Sequence, residues 1–244
     1  FFGFALFRAP TLHEDLLDRG CTIKAMALAL ASDLSSADLI DPLHGLEDLE
    51  LNRLRMVSAS SFCNDPLRIL KGVRHATALG LSIEPSTLES LGHNLGGLNK
   101  VAPERVRQEV WCILEDSNAE RGLLLLAESG IGQQLFTHAY AEATPDLVAF
   151  LGACRSKWRL IADNNDVLYS WLSIEIEQGL NAETLLLFTL ILRAIDPKLP
   201  VVLADRWRLS RKAKSAISAV LSLNEATLSE LASVARSTRS YALW

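Results

Sequence analysis

The stretch that decides the fold of this chain runs Asn64-Asp65-Pro66-Leu67-Arg68-Ile69-Leu70-Lys71-Gly72-Val73-Arg74. A polar residue followed by proline is typical of a helix start, because a side-chain oxygen caps free backbone N–H groups and proline fits the first turn. Leu67, Leu70, Val73 and Leu79 then form an apolar stripe, and Gly80 fits a helix end. The stretch therefore predicts an amphipathic helix that ends near residue 80.

The sequence on the two sides of this helix differs in character. Upstream, the residue pattern predicts a strand at Phe1–Phe7, a strand passing into a helix at Cys21–Ala31, and a short returning strand at Arg53–Val57. Downstream, helical periodicity dominates, and helices are predicted at 85–91, 102–116, 119–136, 145–162, 165–179, 181–195, 209–222 and 225–236. The sequence therefore predicts a mostly α fold, with the remnant of an α/β domain at its start.

Composition narrows the class of protein. With 49% hydrophobic and 22% charged residues, the 244-residue chain is globular, and its net charge of -5 requires any nucleic-acid contact to use a local basic face. The four cysteines form no CxxC pair, so neither a zinc site nor a disulfide framework is predicted. No apolar run reaches the length of about 18–20 residues that a membrane span needs. We expect no membrane partner, no metal bound by this chain alone, and a cytoplasmic or organellar compartment.

Asp65 and Arg68 are the sharpest candidate site residues. Because they lie three apart at a helix start, both side chains can point to one side. A carboxylate accepts hydrogen bonds from a base amino group and a guanidinium donates to a carbonyl or ring nitrogen, so the pair can read the edge of a nucleotide base. The alternative is that Asp65, followed by Pro66, only caps the helix.

Two basic clusters are candidates for RNA contact. Arg68, Lys71 and Arg74 recur every three residues and form a basic stripe on the helix. A second cluster lies near the C-terminus and contains Arg206, Trp207, Arg208, Arg211 and Lys212. Its cations can bind phosphates and its tryptophan can stack on a base. The alternative is that the tryptophan is a core residue and the charges are a solvated surface.

Several local patterns occur in a fixed order along the chain. They are Glu14–Ala27, Leu39–Leu49, Leu54–Val57, Asn64–Arg74, Leu79–Pro85 and Ala102–Glu109. This order resembles the class II tRNA nucleotidyltransferase (CCA-adding enzyme) and bacterial poly(A) polymerase family, whose patterns are roughly RRDFTINA, DPxGGxxDL…IR, EDPLRxLR…LGF and ERxxxE. The resemblance covers residues 12–116 well and continues weakly beyond them.

The resemblance implies both an architecture and an activity. Residues 1–60 would be the C-terminal part of an α/β nucleotidyltransferase head, 61–136 a helical neck that recognises nucleotide and binds RNA, and 137–244 a helical body and tail. The activity would be transfer of nucleotides from CTP or ATP to an RNA 3′ end, with tRNA as the expected RNA. The complete enzyme would use Mg²⁺, held by carboxylates that we expect upstream of residue 1.

The resemblance also assigns residues. Nucleotide binding falls to Arg19, Asp65, Arg68 and Arg105, with a neck Arg and Glu bracing the nucleotide-reading pair. RNA binding is predicted for Lys71, Arg74, Arg206, Arg208, Arg211 and Lys212.

The chain departs from the family pattern at polar positions. Asp18 stands where the family has Arg, Gly20 where it has Asp, Lys24 where it has Asn, and Asn64 where it has Glu. These changes weaken the expected nucleotide and metal electrostatics. They motivate an alternative hypothesis, a non-catalytic RNA-binding or scaffold paralogue with a protein partner in a larger assembly. A third hypothesis is a helical interaction domain with chance matches to the motifs.

Overall fold

The computed structural model of the chain describes residues 6–7, 9–30, 37–162 and 170–223. The chain divides into two compact units, Phe1–Ala153 and Cys154–Trp244. The mostly α fold class predicted from the sequence is confirmed. The predicted helix at 225–236 and all but the end of the predicted strand Phe1–Phe7 lie outside the described residues. The division into 1–60, 61–136 and 137–244 stays a prediction.

The first unit contains short strands near its start and helices through the rest. Its helices are α1 (Leu12–Leu17), α2 (Gly45–Glu50), α3 (Ser61–Asn64), α4 (Leu67–Leu79), α5 (Pro85–Asn94), α6 (Pro103–Glu115), α7 (Ala119–Glu128) and α8 (Ile131–Leu135). Helix α9 (Tyr140–Ala162) runs on past the boundary between the units. Two 3₁₀ turns lie at Thr22–Lys24 and Leu95–Lys100.

The strands of the first unit form two small ladders. Strands β1 (Ala27–Leu30) and β2 (Ala37–Ile40) pair antiparallel, and β3 (Arg53–Leu54) pairs in parallel with β4 (Ser82–Ile83). The predicted order of strand and then helix in Cys21–Ala31 is wrong, because the 3₁₀ turn comes first and β1 follows it.

Helix α4, predicted by the opening stretch, packs against α6 and α7. Leu67, Leu70 and Val73 are buried in this packing, and Gly80 ends the helix in the left-handed conformation. Leu79, predicted as part of the apolar stripe, is instead 53% exposed. At 3.6 residues per turn it lies about 120° around the helix from Leu67, so it leaves the buried face.

The turn before α2 explains the Asp-Pro-Leu-His-Gly motif as structural. The Asp41 carboxylate accepts hydrogen bonds from the N–H groups of Gly45 at 2.7 Å and Leu46 at 2.9 Å, which caps the helix. His44 has a φ of 57°, a conformation that favours glycine. A Cβ on Gly45 would lie 2.4 Å from the carbonyl oxygen of Thr22, so only glycine permits this close approach.

Asp48 of α2 connects this helix to the 3₁₀ turn at Thr22 and to the segment Arg53–Arg55. Its fully buried carboxylate accepts hydrogen bonds from Thr22 Oγ1 at 2.6 Å, Arg53 Nε at 2.8 Å and Arg55 Nε at 2.9 Å. Desolvation by burial raises the pKa of the carboxyl, but the hydrogen bonds from Thr22, Arg55 and Arg53 outweigh it and hold that pKa below its usual value. The network therefore fixes the segment around Thr22, which leads into the cavity described below.

The described part of the second unit is a hairpin followed by helices. Strands β5 (Glu175–Glu177) and β6 (Leu180–Asn181) pair antiparallel, and helices α10 (Ala182–Ile195), α11 (Leu199–Arg206) and α12 (Arg211–Ser222) follow. The prediction of a helix across 165–179 is wrong at Glu175–Glu177. Within the described ranges, no helix is both long and apolar enough to cross a membrane.

Candidate functional site

A cavity of about 330 Å³ lies in the first unit, between the segment after α1 and the outer face of α4. The described residues that line it are mostly cationic or small: Arg19, Gly20, Cys21, Lys24, Asp65, Arg68, Lys71, Gly72, Arg74 and His75. In a chain of net charge -5, this is a local basic face of the kind the sequence requires for nucleic-acid contact. The helix dipole adds to it, since Arg68 and Lys71 lie in the first turns of α4.

The position of Asp65 agrees with both interpretations that the sequence left open, helix capping and a place in a binding site. Its Oδ1 atom accepts a hydrogen bond from the Leu67 N–H at 3.2 Å, the local bond that a helix-start carboxylate makes. The residue also lines the cavity together with Arg68. Capping therefore holds the carboxylate at the cavity wall and leaves its acceptor capacity only partly used.

Arg68 is held by contacts on several sides and is only 11% exposed. Its Nη2 atom donates to Asp18 Oδ2 at 3.3 Å, and its Nη1 atom donates to the Ser61 carbonyl oxygen at 3.4 Å. A Cβ on Gly20 would lie 3.2 Å from Arg68 Cδ, closer than ordinary contact. The aliphatic part of Arg68 therefore lies against Gly20, and its guanidinium pairs with Asp18.

Arg19 lies at the edge of the cavity with its side chain 43% exposed. It forms an ion pair with Asp15, whose carboxylate is 1% exposed, and its Nε donates to Asp15 Oδ2 at 3.1 Å. A buried carboxylate thus sets the position of an exposed guanidinium. This arrangement suits a group that contacts an anionic ligand from the rim.

The far end of the cavity is cationic. Lys24, Lys71 and Arg74 gather around His75 there. Arg74 Nε donates to Glu109 Oε2 of α6 at 2.7 Å, and the Glu109 side chain is 12% exposed. Glu109 therefore braces Arg74. The resemblance assigns such a brace to the nucleotide-reading pair, whereas this contact falls on the basic stripe.

His75 reports the electrostatic character of this end. Burial, and after it the positive charges of Arg74, Lys24 and Lys71, together lower its pKa from 6.5 to about 4. The imidazole is therefore neutral at physiological pH, and the cavity around it favours anions over an added cation.

We expect an NMR titration to find the His75 pKa near 4 rather than the ordinary 6.5. Because the folded state resists protonation while the unfolded chain protonates near 6.5, this group lowers stability progressively as pH falls between those two values. Replacing Lys71 by Gln should raise the His75 pKa, because a nearby positive charge is removed. A midpoint near 6.5 in the wild-type protein would contradict the cationic cavity.

Other predicted site residues are not among the described residues that line this cavity. Arg105 is exposed on α6 and is not among the described lining residues. Arg206, Arg208, Arg211 and Lys212 are exposed in the second unit, where Lys212 Nζ donates to the Glu175 carbonyl oxygen at 3.1 Å. The stacking role considered for the tryptophan of this cluster is wrong. Trp207 is 2% exposed and packs on Phe188 with ring centroids 5.5 Å apart.

Sequence reasoning missed His75 and gave Lys24 no binding role. The signal for His75 is helical spacing, since positions 68, 71 and 75 share one face of a helix more closely than 68, 71 and 74 do. Cys21 also lines the cavity, but burial raises the pKa of its thiol to about 12, so it is protonated at neutral pH and suits neither nucleophilic nor metal-ligand chemistry.

The described ranges contain no cluster of side chains that could hold the Mg²⁺ that the resemblance implies. No three His, Cys, Asp or Glu side chains among those residues come together where they can hold a metal ion. What these residues supply is a cationic cavity with an acceptor and a donor at one end.

Comparison with known proteins gives consistent matches. A family model described as the probable RNA and SrmB-binding site of polymerase A matches residues 80–142. The multifunctional CCA protein of Nitrosomonas europaea is 36% identical over 154 residues, which cover 62% of this chain and 34% of that protein. The CC-adding tRNA nucleotidyltransferase of Synechocystis sp. is 33% identical over 136 residues, covering 56% and 32% respectively.

The fold matches as well. A solved structure of a CCA-adding enzyme in complex with CTP aligns with a TM-score of 0.66 and 25% identity, over 86% of this chain and 47% of that one. The chain spans about a third of the length of the curated relatives it matches. The family model, the curated relatives and the solved structure all support the class II tRNA nucleotidyltransferase family for this chain.

Proposed function

We propose that this chain is part of an RNA 3′-end nucleotidyltransferase that acts on tRNA, and that its cavity binds the incoming CTP or ATP. The observation that carries the proposal is that Asp65 and Arg68 line one cationic cavity. An acceptor and a donor at a fixed separation are what reading a base edge requires. The similarity to a CC-adding tRNA nucleotidyltransferase and to a multifunctional CCA protein supports the same reaction class.

Different parts of the cavity along α4 would bind the nucleotide and the RNA. At its N-terminal end, Asp65 would accept from a base amino group, Arg68 would donate to a ring nitrogen or carbonyl, and Arg19 would contact the nucleotide from the rim. One and two turns further on, Lys71 and Arg74 would hold phosphates of the RNA 3′ end. The two substrates must lie side by side, since the reaction joins the RNA 3′-oxygen to the α-phosphate.

Divalent metal ions would activate the attacking oxygen and stabilise the leaving pyrophosphate in this reaction class. What the described residues of this chain do is bind and orient the two substrates. In the second unit, Arg206, Arg208, Arg211 and Lys212 would bind RNA phosphates through their exposed cationic groups. Such contacts weaken as salt concentration rises.

The test is calorimetric titration of CTP and ATP into the protein and into two matched arginine variants. Arg68→Ala is expected to raise the Kd at least tenfold, because a hydrogen bond from a charged donor contributes about 1.5–3 kcal/mol. Arg105→Ala changes a residue that the resemblance assigns to nucleotide binding but that is exposed and outside the lining of the cavity, so it is expected to leave the Kd within about twofold of wild type. If Arg105→Ala weakens binding and Arg68→Ala does not, the nucleotide lies elsewhere.

The same titration distinguishes the proposed enzyme from the alternative, a non-catalytic RNA-binding or scaffold paralogue. That alternative is favoured by one observation, the pairing of Asp18 with Arg68, which lines the candidate site. It predicts RNA binding without any nucleotide affinity. Saturable binding of CTP or ATP that depends on Arg68 would count against it.

A further inference from the structure

The Asp18–Arg68 pair places a carboxylate of the protein on the guanidinium that the proposed function gives to the nucleotide. Arg68 Nη2 lies 3.3 Å from Asp18 Oδ2. The two partners differ in exposure, with 11% for the Arg68 side chain and 48% for Asp18. The guanidinium is therefore largely removed from water, while its partner can swing out into solvent.

The backbone beneath the pair favours this arrangement. Gly20 has no side chain, and a Cβ there would lie 3.2 Å from Cδ and 3.3 Å from Cγ of Arg68. The aliphatic part of Arg68 therefore lies against the backbone between Asp18 and Cys21. A larger residue at position 20 would displace this side chain, so the glycine and the Asp18 contact belong to one arrangement.

A ligand that takes the Nη2 donor of Arg68 competes with the contact from Asp18. The contact is long and Asp18 is half exposed, so the pair is a solvent-screened ion pair that a base edge accepting from the largely buried guanidinium can displace. The Ser61 carbonyl oxygen, 3.4 Å from Nη1, occupies a further donor. Binding of a nucleotide therefore includes the cost of separating the pair, and only the difference between the two contacts contributes to affinity.

We propose that Asp18 is a built-in competitor for Arg68 that lowers the affinity of the cavity for nucleotides and is displaced when one binds. The proposal rests on the proposed function, since it names the residue that limits use of the same site. Asp18 is a positioning residue here, because it acts on the nucleotide through Arg68.

The experiment is a double-mutant cycle of CTP binding by calorimetry, with Asp18→Asn, Arg68→Gln and the double variant. Asp18→Asn keeps the shape of the side chain and removes its charge, and we expect it to tighten CTP binding about fivefold. In the Arg68→Gln background the same change should have no more than the small effect of removing a negative charge near a polyanion. Titration of tripolyphosphate, which carries no base, measures that general effect.

A second readout needs no nucleotide. Modification of Arg68 by phenylglyoxal, followed by mass spectrometry, should proceed faster in Asp18→Asn than in wild type, because the guanidinium is released. Thermal unfolding checks that each variant is folded. Equal modification rates would overturn the pairing in solution.

The outcomes separate the two proposals. If wild type binds CTP and Asp18→Asn binds it no more tightly, the role of Asp18 is overturned and the nucleotide site stands. The same holds if Asp18→Asn increases the affinity for tripolyphosphate as much as it increases the affinity for CTP. If wild type and Asp18→Asn both fail to bind CTP, the proposed function fails, and the competition fails with it.

Discussion

Replacing Asp48 by alanine is expected to lower the free energy of unfolding by about 3–5 kcal/mol, the usual cost of removing one partner of a buried charge network. The carboxylate is fully buried and accepts from Thr22, Arg53 and Arg55. Its loss leaves these donors without their acceptor and disconnects the turn before α2 from β3. Urea unfolding followed by circular dichroism measures the effect.

Glu50 provides the matched control for this prediction. It is exposed on the same helix, so Glu50→Ala should change the unfolding free energy by no more than about 0.5 kcal/mol. Equal losses in the two variants would show that Asp48 has no special role.

The difference in unfolding free energy between wild type and Asp48→Asn should depend on pH in a definite direction. A carboxyl whose pKa is lowered on folding stabilises the fold above its unfolded pKa, near 3.8, and loses that contribution as pH falls through the lower folded value. Wild type should therefore exceed the variant in stability at neutral pH. The difference should shrink once the pH drops below about 3.8.

The charge reversal Lys71→Glu is expected to weaken tRNA binding about 100-fold. The change removes a charge-assisted contact worth about 1.5–3 kcal/mol and adds a carboxylate that repels phosphate. Its neighbours Arg74 and Lys24 remain, so the loss comes from one position in an otherwise cationic end. Filter binding or fluorescence anisotropy at fixed ionic strength measures it, since such affinities depend strongly on salt.

Lys198→Glu makes the same change in net charge at an exposed position of the second unit. It should alter tRNA affinity by less than threefold, because this exposed charge is screened by salt and Lys198 is neither a lining residue of the cavity nor assigned to RNA contact. If both reversals weaken binding to the same extent, RNA responds to the overall charge of the protein rather than to the cavity.

Local sequence signals predicted α4 well. A polar residue and proline mark its start, Gly80 marks its end, and Leu67, Leu70 and Val73 have the spacing of a buried face. The same reasoning placed Asp65 and Arg68 on one side of the chain, and both do line one cavity. Signals of this kind lie within a few residues of one another, which is why one sequence reveals them.

Contacts between distant residues were beyond the reach of that reasoning. The β-favouring Thr22 and Ile23 predicted a strand, but the Thr22 hydroxyl bonds to Asp48 and its N–H to the Arg55 carbonyl oxygen at 3.0 Å, which holds a 3₁₀ turn instead. Tertiary bonds override local propensity in such cases. The Asp18–Arg68 pair joins residues 50 apart in sequence, and the motif departures at 18 and 20 gave no hint of it.

The central claim is that the cavity beside α4 binds a nucleoside triphosphate, and the most direct test is a crystal structure of the protein with CTP. The account predicts electron density for the nucleotide within the cavity, with the base edge at hydrogen-bond distance from Asp65 and Arg68 and with Asp18 turned away. Density for CTP at another position, or a cavity without nucleotide density at saturating CTP, would contradict it.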